Sequence, residues 1–179
     1  MPKRKSFPLS KVYGLLEPGP VVMLTTARGD YINVMTMSWH TMLEFEPPLI
    51  GCVVSSGDYT FKILKATREC VIAIPGVELA PKVVRVGNTS GRDLDKFKKF
   101  SLTAAPASLV KAPLIEECFA NLECRVVDTS MVNKYNFFVL EVVKAWIDPG
   151  AAHPQTIHHL GKGVFMVAGK QIRLPSKMK

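Results

Sequence analysis

The sequence predicts a mainly β protein in which an antiparallel sheet closes, wholly or in part, into a barrel with short peripheral helices. At least six segments read as strands, and the helical patterns between them are short. Strand and helix do not alternate in the regular order of a doubly wound sheet. No internal repeat is evident, and 179 residues suit one domain with a sizeable core.

Residues 1–18 read as an N-terminal segment, 19–174 as the main domain and 175–179 as a basic tail. Weak helical character lies at 11–16. Gly19-Pro20 opens a strand at 21–27, Arg28-Gly29-Asp30 turns, and 31–39 returns as the second strand of a hairpin. There Met35, Met37 and Trp39 share one face and Thr36, Ser38 and His40 the other, because successive side chains alternate. Pro47-Pro48 ends the connection into a continuously apolar, buried strand at 49–54. A helix is expected from Asp58 to Thr67 with Phe61, Ile63 and Leu64 on its apolar side, then a buried strand at 69–74 stopped by Pro75-Gly76.

Residues 78–86 read as a helix with Pro81 in its first turn. Residues 87–91 form a loop whose glycines let backbone approach a ligand, and Asp93 is placed to cap a short helix at 94–100. The stretch to Pro113 is irregular. Long strands follow at 119–128 and 135–147, joined by a loop at 129–134. A histidine-bearing connection at 148–162 leads to a last strand or hairpin at 164–174.

Net charge is +8, with basic residues at both ends: Lys3, Arg4 and Lys5, then Lys170, Arg173, Lys177 and Lys179. No nucleic-acid motif or interleaved aromatics accompany them, so they read as solvated tails, and the excess suits anionic ligands such as phosphates. The apolar runs are too short to cross a membrane, and the first residues lack the apolar stretch of a signal peptide. A cytoplasmic protein binding neither membrane nor nucleic acid is expected.

Cys118 and Cys124, in what reads as one strand, would lie roughly 20 Å apart, too far for a bond or a shared metal. Cys52 and Cys70 read as ordinary buried thiols, and a reducing compartment suits all four. His153, His158 and His159 share one connection without paired carboxylates or a complementary cysteine set, so no metal site is expected. His40, on a polar strand face, is the better histidine to approach a ligand. No Ser-His-Asp or Cys-His constellation is demonstrable, and without a Gly-x-Gly-x-x-Gly loop a Rossmann nicotinamide site is not supported.

The strand at 49–54 delivers Ser55, Ser56 and Gly57 to a helix start. Unpaired backbone N–H groups and the helix dipole favour negative charge there, although Ser56 or Asp58 also suits a plain N-cap. Four stretches then stand in one order: Asn33-Val34-Met35-Thr36-Met37-Ser38-Trp39, Phe45-Glu46-Pro47-Pro48-Leu49, Tyr59-Thr60, and Ser90-Gly91-Arg92-Asp93-Leu94-Asp95-Lys96-Phe97. Over residues 20–165 the chain resembles the flavin reductase-like family, which includes the flavoredoxins.

The resemblance implies an FMN-binding split β-barrel, antiparallel and of Greek-key type, usually a homodimer with flavin near the subunit interface. It implies contacts to the isoalloxazine along Asn33, Val34, Met35, Thr36, Met37, Ser38 and Trp39, with backbone groups and the Thr36 and Ser38 hydroxyls at its polar edge. Donors there would shift the flavin's redox potential, because reduction concentrates negative charge on that edge. Ser55, Ser56 and Thr60, with Tyr59 beside them, match the phosphate side. Ser90, Gly91 and Lys96 match a further segment, the lysine supplying a cation to the phosphate or ring edge, and Phe165 matches an aromatic near the ring.

Plainer roles compete with these. Thr60 also suits a solvated first-turn residue, Lys96 a surface charge beside Lys98 and Lys99, Phe165 a core residue, and Trp39 packing. Relatives carry a histidine in the loop before the long strand, where this chain reads Asn133-Lys134-Tyr135-Asn136, so that proton-donating role does not carry over.

The implied function is an FMN-dependent oxidoreductase that takes hydride from NADH or NADPH, docked transiently on the flavin. It would pass electrons to free flavin, a metal complex or a redox protein partner. A flavoredoxin-like electron-transfer carrier with little NAD(P)H turnover is the alternative, and a cofactor-free binding module a third reading. The family pattern also predicts assembly, with the aromatic-bearing strand at 135–146 offered as contact surface. Sedimentation at micromolar concentration is expected to show a homodimer; a monomer that still holds FMN would refute it.

Overall fold

A computed structural model describes residues 4–177; Lys3 and Lys179 of the basic ends lie outside the described residues. The chain opens with β1 (Lys5–Ser6) and the short α1 (Tyr13–Leu16). Gly29-Asp30 turns the hairpin of β2 (Val22–Arg28) and β3 (Tyr31–Met37), Gly29 supplying a φ of 59°. After Ser38-Trp39 come β4 (His40–Glu44) and, past the two prolines, β5 (Leu49–Val53). Next are α2 (Tyr59–Thr67), β6 (Glu69–Ile74), α3 (Ala80–Gly87), with Pro81 in its first turn, and α4 (Lys96–Phe100). The chain continues through β7 (Ala104–Ala105), β8 (Leu114–Ile115), β9 (Ala120–Asp128), α5 (Val132–Tyr135) and β10 (Phe137–Ile147). It ends in a separate hairpin, β11 (Ile157–Gly161) and β12 (Val164–Val167).

The main sheet runs β3-β2-β6-β9-β10-β5-β4 with every neighbouring pair antiparallel, and β1 adds to β10. Its edge strands β3 and β4 are consecutive in the chain, so the sheet curls into an antiparallel barrel split between them. The split is bridged by His40 Nε2, 2.7 Å from the Pro20 carbonyl oxygen, while the Val53 amide, donating to the Trp39 carbonyl at 3.0 Å, extends the β4–β5 pairing.

Both faces of the central strands are covered. Val22, Leu24, Ile72, Leu122, Phe138 and Leu140 fill the barrel. Met23 and Val34 turn outward against Val83 and Val86 of α3 and Phe97 and Phe100 of α4. Val71 packs beneath Ala105, Val110 and Leu114. This double burial is why stretches such as 70–74 carry no polar alternation.

Several expectations shift. The strand expected at 31–39 stops at Met37, and the supposed connection beyond it contains β4, so the Met35, Met37 alternation does not extend to Trp39, which is 72% exposed rather than packed. Asp95, not Asp93, caps α4, accepting from the Lys98 amide at 3.0 Å. The last strand ends at Val167, and its partner β11 lies inside the expected histidine connection. A short helix, α5, occupies the expected 129–134 loop. Strand β10 is paired on both edges, and Val143 and Trp146 on its outer side pack against the 104–114 segment, while Tyr135 just before it is exposed. Arg4 is not a solvated tail residue: its guanidinium donates to the Ile115 carbonyl at 2.7 Å.

All four cysteines are buried free thiols. Cys118 precedes β9 rather than sharing it with Cys124, and Cys70 and Cys124 are cross-strand partners. No helix among the described residues is long and apolar enough to cross a membrane.

The fully buried Glu123 carboxylate organises the segment that covers β6 and β10. It accepts from the Ser108 and Leu109 amides and from Trp146 Nε1 at 2.8 Å. Glu123→Ala would strand these donors and is expected to cost about 3 kcal/mol or more, read as a lowered urea midpoint.

Candidate functional site

Along the free edge of β3 runs a groove of three adjoining compartments, all lined by Thr36. The first, about 360 Å³, lies between Asn33 and Met35 of β3, the start of α2 and the 87–91 loop, with Lys96 entering from α4. The second, about 250 Å³, lies between Thr36, Ser38, the end of α3 and the hairpin residues His159, Gly163 and Phe165. The third, about 300 Å³, runs beside Met35, Met37 and Trp39 toward Val53, Ser55 and Asp58.

Strand alternation aims these groups. Thr36 points away from the barrel, its hydroxyl donating to the Val83 carbonyl at 2.6 Å and fixing α3 to β3. Asn33, 2% exposed, donates through Nδ2 to Thr60 Oγ1 at 2.8 Å and so ties β3 to the first turn of α2. Its Oδ1 is buried without a partner among the described residues. A Cβ at Gly91 would stand 2.0 Å from that oxygen, so only glycine lets the loop close over Asn33. The Tyr31 hydroxyl donates to the Gly91 carbonyl and holds the loop there.

The start of α2 is not closed by a side-chain cap: Asp58 stands at the N-cap position, yet its carboxylate accepts nothing from the first turn. Lys96 is 5% exposed, and its ammonium donates to the Val86 carbonyl at 2.9 Å. Burial pulls its pKa down from 10.5 to about 8, partly opposed by the Asp58 carboxylate. This compartment therefore combines a desolvated ammonium, an uncapped helix start and an orphan amide oxygen. It can receive an anion together with a hydroxyl donor.

Of the sequence-predicted residues, Asn33, Met35, Thr36, Met37, Ser38, Trp39, Ser55, Tyr59, Thr60, Ser90, Gly91, Lys96 and Phe165 all line the groove. Two do not. Val34 is fully buried on the α3 side, because it occupies the opposite pleat from Met35, and Ser56 is exposed in the turn and lines none of the three compartments. His40 is not turned to the groove either: burial lowers its pKa and its Nε2 faces Pro20. Gly57, Asp58, Gly87, Asn88, Thr89 and His159 are lining residues that sequence reasoning left out of the site. The glycine-flanked loop signalled the middle members of that set; His159 gave no signal because its strand was not recognised.

The chain is 33% identical over 172 residues to the uncharacterized protein YddH of Escherichia coli (strain K12), an alignment covering 88% of this chain and 91% of that one. Its fold is that of the FMN-binding domain of a flavin reductases-like enzyme from Shewanella baltica OS155, with a TM-score of 0.90 at 24% identity over 97% of this chain and 98% of that one. The flavoredoxin of Desulfovibrio vulgaris (Miyazaki F) superposes with a TM-score of 0.80 at 19% identity, covering 89% and 91%. Residues 15–165 match the family described as flavin reductase like domain, and the chain belongs to that family.

Proposed function

We propose that the chain is an FMN-dependent oxidoreductase that takes electrons from NAD(P)H and passes them to an acceptor. One observation carries this reading: an anion-receptive compartment opens directly onto a polar strand edge within a single groove. FMN has the matching parts, a phosphate, a hydroxylated chain and a ring with one polar edge. When bound, the flavin would supply two-electron transfer, leaving the protein to orient it and exclude water.

In this reading Lys96, Ser90 and the first amides of α2 hold the phosphate, and Thr60 shapes that pocket through Asn33. Asn33 Oδ1 accepts from a chain hydroxyl, which satisfies the orphan oxygen. Backbone groups at Val34 and Ser38 and the Ser38 hydroxyl meet the ring's polar edge. A second copy of the chain covers the open side. The exposed apolar residues Trp39, Leu43, Phe45, Leu160 and Val164 support that homodimer.

The purified protein is expected to be yellow and to release FMN on denaturation; a colourless protein that takes up no added FMN would overturn the reading. Anaerobic consumption of NADH or NADPH is expected of an oxidoreductase, whereas an electron carrier with bound FMN would leave both unoxidised.

Lys96→Met should weaken FMN by about ten- to a hundredfold while leaving riboflavin, which lacks the phosphate, within about twofold. The pH dependence has a defined sign. Phosphate favours the protonated amine, which is present below about pH 8 and lost above it. The preference for FMN over riboflavin should therefore fall as pH rises through 8 in the wild type and stay flat in Lys96→Met. Equal losses for both flavins would remove the phosphate assignment.

A further inference from the structure

We infer that the second compartment is an acceptor pocket for a single-ring quinone, with His159 as the residue that donates the proton its reduction requires. The inference rests on the flavin reading above and names the acceptor for that same groove.

The hairpin is anchored so that His159, an exposed residue, borders the compartment. The Val21 amide donates to the Ile157 carbonyl at 2.7 Å, and Ile157 is buried. His158 Nδ1 lies 3.0 Å from the Gly19 carbonyl oxygen. Strand alternation then sends His159 to the other face, where it lines the compartment. Its cross-strand partner Phe165 holds the ring, with centroids 5.2 Å apart and planes inclined by 46°.

Opposite this wall stand the Thr36 and Ser38 hydroxyls and the apolar side chain of Val83. Among the described residues lining this compartment, His159 is the sole titratable one. The groove's other titratable side chains, Asp58, Tyr59 and Lys96, line the first or third compartment. On the hairpin itself, His158 faces Gly19 and Lys162 lies in the turn at its tip.

Chemistry and size select the acceptor. A metal complex that takes electrons alone needs no acid, whereas a quinone takes two electrons and two protons. The cavity of about 250 Å³ falls just below the roughly 300–1,000 Å³ of sites for drug-sized ligands. It suits one ring between Phe165 and Val83 and excludes the three fused rings of a free flavin. In the reduction, the hydride equivalent comes from the flavin reduced by NAD(P)H. His159 would give a ring proton to a quinone oxygen, so that quinone, hydride and proton yield hydroquinone. His159 is exposed at its outer edge and recovers a proton from water.

The test uses FMN-loaded protein, photoreduced without oxygen and mixed with 2,6-dimethylbenzoquinone or with ferricyanide, a proton-independent acceptor. His159→Gln should slow reoxidation by the quinone about tenfold or more while changing ferricyanide by less than about twofold. A two-ring naphthoquinone should react more slowly than the single-ring quinone with the wild type. An unchanged quinone rate in His159→Gln, a parallel loss with ferricyanide, or equal rates for the two quinones would overturn the inference. Reoxidation of wild-type bound FMN by ferricyanide would leave the flavin reading standing in each case; failure of the wild type to take up FMN would instead remove both.

Discussion

The architecture turns on the short step from Met37 to His40. These residues belong to strands at opposite edges of a seven-strand path, which laid flat would hold them about 29 Å apart at about 4.8 Å per spacing. The connection reaches at most about 11 Å. The sheet has to curl until its edges nearly meet, and β3 and β4 remain unpaired with each other. Closure thus produces the split, and the split puts Thr36, Ser38 and Trp39 on a rim instead of in a sheet interior.

Beside that rim the chain retains groups that a purely structural site would not favour. A lysine buried to 5% exposure and an asparagine oxygen without a partner are both unfavourable unless something completes them. They occur within one compartment, next to a helix start whose N-cap side chain accepts nothing from the first turn. The buried Glu123 carboxylate, by comparison, is met by three donors. Thr26 Oγ1 and His40 Nδ1 are also buried without a partner among the described residues, so it is the conjunction of the orphan oxygen with a buried ammonium and an open helix start that distinguishes the compartment.

Much of this was legible from residue pattern. The β2–β3 hairpin, the apolar strand β5 and α2 follow from turn residues, alternation and apolar runs, and the family resemblance of the 33–39, 59–60 and 90–96 stretches largely marked the groove. The losses have physical causes. Strand β4 was hidden because its outward residues Thr41, Leu43 and Glu44 lie exposed, so no core periodicity identifies it. The hairpin β11–β12 was hidden because only Ile157 at its root and Phe165 near its tip pack against the core, leaving Leu160, Val164 and Met166 open. The motif did not reveal side-chain direction: the pleat turns the Val34 side chain into the core, and Ser56 stands exposed in the turn.

The low identity to the Shewanella domain, set against a TM-score of 0.90, fits this division of labour. A barrel interior needs apolar side chains of suitable volume on alternate positions, and many sequences meet that demand with modest cost. Closure is likewise a matter of chain connectivity and strand spacing, neither of which specifies particular side chains. The groove is different, because Lys96, Asn33 and Gly91 each act through an atom type or a missing Cβ that no neighbour can replace. The hairpin sits outside the main sheet and is joined to it largely at its root. Of its groove-facing residues, Phe165 packs against the core, whereas the exposed His159 can change without disturbing the barrel, which leaves the hairpin side of the groove open to divergence.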